Sequence, residues 1–209
     1  MDPKDADWWW SIFGHPNREI SFGGNRRYYS FTGVDEFRAY LETNRPSELH
    51  IGPVYSVPPI LKRLFQWRQL VVSNRELVVD IDINDYDDRR TTECGCCETR
   101  FCRHCWTSYM NPAIMAIHTL FTEHFGFQNI IWAFSGRRGV HAIVLDTFDW
   151  DSEAKNAVIE RIKQLPERPR IDVAVSLQPN HLIRAPLSVH PTTGWKGAIF
   201  KPSVDYYPL

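Results

Sequence analysis

Two aspartates two positions apart are the first groups in the chain that could do chemistry together. Asp80 and Asp82 lie in the run Val-Val-Asp-Ile-Asp-Ile, and Asp172 stands far along the chain in Arg-Ile-Asp-Val-Ala-Val. On an extended strand, residues two apart share a face. Asp80 and Asp82 therefore point one way while Val79, Ile81 and Ile83 point the other. The same alternation sets Asp172 against Ile171, Val173 and Val175. If the two runs are neighbouring strands, three carboxylates converge, and such a cluster either raises its own proton affinity or takes up cations. Hard oxygen ligands suit Mg²⁺ or Mn²⁺, and two such ions serve phosphoryl transfer by steadying the attacking and leaving oxygens. The competing reading of Asp-x-Asp is a solvated strand face.

A second constellation is Ser135-Gly136-Arg137-Arg138-Gly139-Val140-His141. A plain turn needs its glycines but not two adjacent arginines between a serine and a histidine. Arginine presents a fixed fork of donors that matches phosphate oxygens, and Ser135 and the turn amides add neutral donors. With His141 in reach of the carboxylate strand, the set reads as a polyphosphate clamp suited to a nucleoside triphosphate. The segment 181–194 adds Arg184 and His190, which alone are ordinary loop groups.

All five cysteines fall between Cys94 and Cys105. A disulfide framework is scattered along a chain, whereas a metal site is local. Two C-x-x-C pairs, Cys94/Cys97 and Cys102/Cys105, predict a tetrahedral Zn²⁺ site that folds the insertion around it. Cys94 or Cys96 joins Cys97, Cys102 and Cys105, and the spacing leaves that choice open. Arg89, Arg90, Arg100, Arg103 and His104 surround the knuckle as a nucleic-acid patch or as solvated surface.

The elements that must position these groups read as follows. Strands are expected over 76–83, 129–135, 140–146 and 170–176, and helices over 111–126 and 151–165. The turn 136–139 joins two of the strands. That β-α-β-β-α-β order is the split βαβ arrangement of ferredoxin-like and RRM-like folds, an α+β class with one open sheet face for the aspartates. Ahead of this core (71–209), residues 1–70 predict a small α/β module. In it, strands at 18–22 and 26–32 flank Gly23-Gly24-Asn25, a helix covers 34–42 and a strand covers 50–57. The opening Trp8-Trp9-Trp10 reads as an edge and not as a second core. The zinc-binding insertion spans about 89–106, and the whole is expected to act as one domain.

With 24 basic and 25 acidic residues the net charge is −1, so any nucleic-acid contact must rest on a local patch. No apolar run approaches the ~18 residues of a membrane span. The start lacks the basic and apolar regions of a secretory signal, which argues against secretion or membrane insertion.

Taken in order, ELVVDIDINDYDD, the cysteine knuckle ending in C-x-x-C-W, FGFQNIIWAFSGRRGVH, RIDVAV and NHLIRAPLSVHPTTG resemble the small catalytic subunit of archaeal and eukaryotic DNA primases. REISF and HIGPVYS resemble that family's N-terminal module. The likeness implies a primase-polymerase that starts chains on single-stranded DNA from NTPs or dNTPs, with an RRM-like catalytic core and a structural zinc. By that likeness Asp80, Asp82 and Asp172 hold two Mg²⁺ or Mn²⁺ ions. Ser135, Arg137, Arg138, His141, Arg184, His190 and Arg18 bind the nucleotide's phosphates, and His181 and Leu182 fall where the family holds the sugar. His50 stands where an acidic residue is expected near the ribose. The resemblance also implies a primase large subunit as partner, although the short link between 146 and 172 omits a subdomain of eukaryotic members. The location it implies is a nucleus, a viral replication site or a prokaryotic cytoplasm. The alternatives are a gap-filling or translesion polymerase that only extends primers, a catalytically decayed zinc-containing nucleic-acid-binding module, and a two-metal nuclease.

Overall fold

The computed structural model describes residues 1–23, 26–65, 70–94, 101–146 and 150–208. In chain order the first elements are α1 (Ala6–Phe13), β1 (Arg18–Ser21), α2 (Val34–Asn44), β2 (His50–Tyr55), α3 (Ile60–Phe65), β3 (Val72–Asn74), β4 (Leu77–Asp82) and α4 (Asp87–Cys94). Then come the single turn α5 (Arg103–Cys105), α6 (Asn111–Thr119), β5 (Ile130–Phe134), β6 (Gly139–Val144), α7 (Ser152–Lys163), α8 (Val173–Leu177), β7 (Ile183–Arg184) and β8 (Ala198–Phe200). These divide into two compact units. The first comprises residues 1–75, 135–137 and 178–197, and the second residues 76–134, 138–177 and 198–209. Among the described residues no helix is long and apolar enough to cross a membrane.

In the first unit β2 pairs antiparallel with β1, β3 and β7. Its core is aromatic. Ala6, Trp9 and Phe13 recur at helical spacing along α1, as do Phe37 and Leu41 along α2, and all five are buried. The Trp9 ring lies 5.0 Å from Phe37 and 5.5 Å from Phe13. The tryptophan run therefore forms a helix that seals a core, because Trp9 is the one of the three that the helical period turns inward. Burial of each such ring contributes about 1.5–3 kcal/mol. The strand expected over 26–32 shrinks to one bridge, in which Tyr29 and Ile20 exchange backbone hydrogen bonds of 2.9 and 3.0 Å. Gly24 and Asn25 of its turn lie outside the described residues.

The second unit is built on an antiparallel sheet in the order β4-β6-β5-β8. Leu77, Val79 and Ile81 bury one face of β4 in a core shared with Ile114 and Ile117 of α6 and Val158, Ile159 and Ile162 of α7. Asp80 and Asp82 are left on the opposite face, as their spacing requires. The hairpin β5–β6 matches the expected pairing, with Phe134 opposite Val140. Asp80 faces His141, and Asp82 faces Gly139.

The strand expected over 170–176 is absent. Only one rung forms, from the Asp172 amide to the Asp80 carbonyl at 3.0 Å, and the chain then turns into α8. The cause is Asp172 itself, whose Oδ1 accepts from the amides of Ala174 (2.8 Å) and Val175 (3.3 Å). A side-chain oxygen that satisfies the first amides of a helix stabilises it by about 1 kcal/mol, and here it overrides the strand preference of Val173 and Val175. The expected β-α-β-β-α-β order thus lacks its last strand. The sheet gains β8 instead, paired with β5 on its other side. What stands is a mixed α and β fold with antiparallel sheets.

Candidate active site

In the second unit a cavity of about 660 Å³ is lined by Asp80, Asp82, Asp85, Asp172, Asn84, Arg138, Lys163 and Arg170, among others. Burial, followed by repulsion from Asp82, Asp172 and Asp85, pushes the Asp80 carboxyl up to about 7. Asp85 is raised too, by burial and then by Asp82 and Asp172. The sequence reading overlooked Asp85. It follows Asp82 by three residues through a 3₁₀ turn over Ile83–Tyr86, and that geometry stacks positions i and i+3 on one side. Two nitrogen-bearing side chains face the acids directly. Arg138 Nε lies 3.1 Å from Asp82 Oδ2, and His141 Nε2 lies 3.6 Å from Asp80 Oδ1.

The segment that delivers Asp172 is tied down two residues earlier. Arg170 makes a bidentate pair with Asp88, with Nη1 at 2.7 Å and Nη2 at 2.8 Å. Nη1 also donates to the Asp85 carbonyl, and the Arg170 amide donates to the Tyr86 hydroxyl at 2.9 Å. Asp172 is thereby braced to the residues that follow Asp82. Arg170 is another residue the sequence reading missed, because its partners lie more than eighty positions away.

The expected metal ions can be tested against these side chains. Among the described residues no three His, Cys, Asp or Glu groups are already drawn into a ready coordination shell. The donor set is nevertheless one of hard oxygens, the cavity has room for hydrated ions, and the raised Asp80 marks negative charge that lacks full compensation. These features fit Mg²⁺ or Mn²⁺, which bind through one or two carboxylates and retain several waters.

The other nucleotide-binding candidates fall in the first unit. Ser135, Gly136 and Arg137 meet the 188–197 segment there, where Thr193 Oγ1 donates to the Gly136 carbonyl at 2.6 Å. Gly136 has φ +86°, and a Cβ on it would lie 2.8 Å from the Trp195 carbonyl and 3.1 Å from His190 Cβ. Only glycine fits this bend, so the first glycine of the turn is needed for close approach as well as for its φ. Arg184 pairs in register with His50, and its Nη1 lies 3.3 Å from Glu48 Oε2. His50 Nε2 is 3.8 Å from the same oxygen. Burial, then the Arg184 charge, lowers His50 to about 4, with Glu48 opposing and His190 adding to the fall. Glu48 was not singled out from the sequence. It supplies an acid two residues before position 50, the position at which the resemblance implies one.

Arg18 is committed elsewhere within this unit. It is buried, with Nε donating to the Phe13 carbonyl and Nη1 to the Gly52 carbonyl, both at 3.0 Å. Leu182 is half-buried beside Gly52, its Cδ2 2.9 Å from where a Cβ there would sit. His181 is likewise half-buried, and its amide donates to the Gln178 carbonyl at 3.2 Å.

Of the cysteine cluster, Cys96 and Cys97 lie outside the described residues, as does the side chain of Cys94. Cys102 and Cys105 form a compact turn in which Cys102 Sγ accepts from the Cys105 amide at 3.4 Å. The two sulfurs are 3.6 Å apart. Zinc–sulfur bonds of about 2.3 Å in a tetrahedron set a sulfur–sulfur edge of about 3.8 Å, close to that value.

Residues 79–168 match the family described as DNA primase small subunit. That span holds Asp80, Asp82, all five cysteines and the double-arginine turn, while Asp172, Arg184 and His190 lie beyond it. Among curated proteins, the DNA primase small subunit of Saccharomyces cerevisiae is 38% identical over 135 residues, 62% of this chain and 32% of that protein. The Schizosaccharomyces pombe protein of the same name is 38% identical over 120 residues, 57% of this chain and 26% of its own length. The Drosophila melanogaster protein is 39% identical over 135 residues, 62% of this chain and 30% of its own. The chain spans about a third of the length of the curated relatives it matches. Among solved structures, the polymerase domain from Mycobacterium tuberculosis ligase D in complex with DNA shares the fold, with a TM-score of 0.52 at 14% identity. That likeness covers 88% of this chain and 62% of the other. The resemblance carried by the paired aspartates and the double-arginine turn is borne out: over residues 79–168 this chain is similar to the DNA primase small subunits.

Proposed function

We propose that the chain is a nucleotidyltransferase module that synthesises primers on single-stranded DNA from nucleoside triphosphates. The observation that carries this reading is one cavity lined by Asp80, Asp82 and Asp172, with Asp80 pushed up to about 7 by burial and by its acidic neighbours. In the reaction a 3′-hydroxyl attacks the α-phosphate of the incoming nucleotide. The new phosphodiester forms as the α–β bond breaks, pyrophosphate leaves, and the hydroxyl proton passes to solvent. No side-chain nucleophile takes part, so catalysis rests on positioning and charge neutralisation.

Asp80, Asp82 and Asp172 hold the divalent ions, which supply charge neutralisation and activation of oxygen when bound. Arg138 and His141 supply positive and neutral donors on the same sheet face. Ser135, Arg137, Arg184 and His190 bind phosphate oxygens, His181, Leu182 and His50 serve the sugar, and Arg18 acts through the carbonyls it holds. Cys102 and Cys105 form half of a structural zinc site that Cys97 and one of Cys94 and Cys96 complete. Zinc content measured on purified protein, and its loss in Cys105→Ser, checks that part. A larger partner subunit belongs to the same reading, since the curated relatives are small subunits by name. So does an intracellular site of DNA replication.

The deciding experiment incubates the protein with single-stranded DNA, Mn²⁺ or Mg²⁺ and labelled NTPs or dNTPs. Product from the wild type, absent with Asp80→Ala/Asp82→Ala, is the expected result. Equal product from both proteins, or none from the wild type, defeats the reading. Omitting the primer separates a primase from a polymerase that only extends, and shortening of the DNA identifies a nuclease. Nucleotide binding that needs neither divalent ion nor Arg137 and Arg138 identifies a decayed binding module.

A further inference from the structure

The first unit carries a second concentration of positive charge, in which Arg27 also donates to the Asn180 carbonyl at 3.0 Å. Arg26 and Arg63 are exposed, and Lys62 and Arg27 are half-buried beside them. Each of the last three cations meets a tyrosine ring: Lys62 Nζ lies 4.2 Å and the Arg27 guanidinium 5.1 Å from the Tyr28 centroid, and Arg63 lies 3.9 Å from that of Tyr29. Lys62 also donates to the Tyr28 hydroxyl at 3.0 Å.

This surface is held in place from below. Glu19 is fully buried and accepts from Arg27 through both oxygens, at 2.8 and 3.1 Å. It also accepts from the Tyr55 hydroxyl at 2.9 Å and from the Tyr28 amide at 3.2 Å. The last bond fixes Tyr28 at φ +65°, a left-handed conformation that a bulky residue adopts only when its surroundings impose it. Four cations thus stand against one buried carboxylate, in a chain whose net charge is −1.

We infer that this basic, tyrosine-bearing surface binds single-stranded DNA. Lysine and arginine neutralise successive phosphates, and here the tyrosine rings beneath them hold those cations at the surface. The inference deepens the reading above, on which it rests for the identity of the ligand, by giving the template strand a place in the first unit.

Fluorescence anisotropy with a labelled (dT)20 oligonucleotide tests it, using Lys62→Ala/Arg63→Ala so that the Arg27–Glu19 pair stays intact. The variant is expected to bind about ten-fold more weakly in ~0.1 M salt. Its plot of log affinity against log salt should be shallower by about 1.4, which is about 0.7 for each lost phosphate contact on a single strand. Lys62→Arg/Arg63→Lys is expected to keep wild-type binding, which separates charge from folding. Unchanged affinity and slope in the alanine variant, or equal loss in the charge-conserving one, overturns the inference. Synthesis assayed in parallel keeps the two failures apart. A wild type that makes no product but binds (dT)20 through Lys62 and Arg63 defeats the polymerase reading and leaves the surface standing. A wild type that makes product while the alanine variant binds normally does the reverse.

Discussion

In the second unit Asp80 is surrounded by Asp82, Asp172 and Asp85, and its proton is held to about 7. In the first unit Arg184 and Glu48 are half-buried together, and His50 beside them is kept neutral down to about 4. One site gathers like charges on a sheet face. The other balances a cation and an anion and suppresses a third charge. The contrast shows that similar burial can hold opposite balances of charge. A carboxylate cluster is unfavourable until positive charge arrives, whereas a compensated arginine is stable alone and can exchange its partner for a phosphate.

The comparison can be broken most forcefully by removing one acid. Asp82→Asn is expected to lower nucleotide incorporation on the order of 10³-fold, as loss of a principal electrostatic group does, in a primer-extension assay. Arg184→Ala acts on the balanced site and should raise the nucleotide KM roughly 10- to 100-fold, the weight of a charge-assisted hydrogen bond. A kcat that falls while KM stays fixed would contradict that assignment.

Arg170→Ala leaves every proposed metal ligand in place but releases the segment that carries Asp172. Mn²⁺ affinity, read by titration calorimetry, should weaken about 10- to 100-fold, as when other orienting partners of metal ligands are lost. Wild-type affinity would show that the Asp88 pair has no part in positioning Asp172.

The smallest effect is on stability, and the two sites should show opposite signs. Asp80 has its folded value near 7, above its unfolded value near 4, so the folded chain holds the extra proton between them. Stability contributed there falls as pH rises from about 4 to about 7. His50 has its folded value near 4, below its unfolded value near 6.5, so the unfolded chain holds the extra proton. Stability contributed there rises with pH over about 4 to 6.5. In thermal melts across pH, Asp80→Asn should remove the falling component and His50→Gln the rising one. Melting curves that neither substitution alters would sink the contrast.

Much of the second unit is legible because its strands are long enough to show a period. Val79, Asp80, Ile81 and Asp82 alternate cleanly, and the 130–134 and 139–144 strands flank a short turn that holds Gly136 and ends at Gly139. The run from 173 misleads for a physical reason: Val-Ala-Val alternates like a strand, while the helix signal is the single capping oxygen of Asp172. β8 has three residues, too few for any period. Trp9 reads as an edge until α1 shows it in register with Phe13. Glu48 and Asp85 look like surface acids in the sequence, and only the folded backbone brings them beside His50 and Asp80.

Because one oxygen of Asp172 is spent on the amides of Ala174 and Val175, the residue has two separable jobs. Replacement by asparagine keeps an acceptor for those amides while discharging the cavity, and replacement by alanine forfeits both. Asparagine is therefore the cleaner instrument for testing the proposed activity without loosening the chain, and glutamate, one methylene longer, would have to give up either the anchorage or the aim.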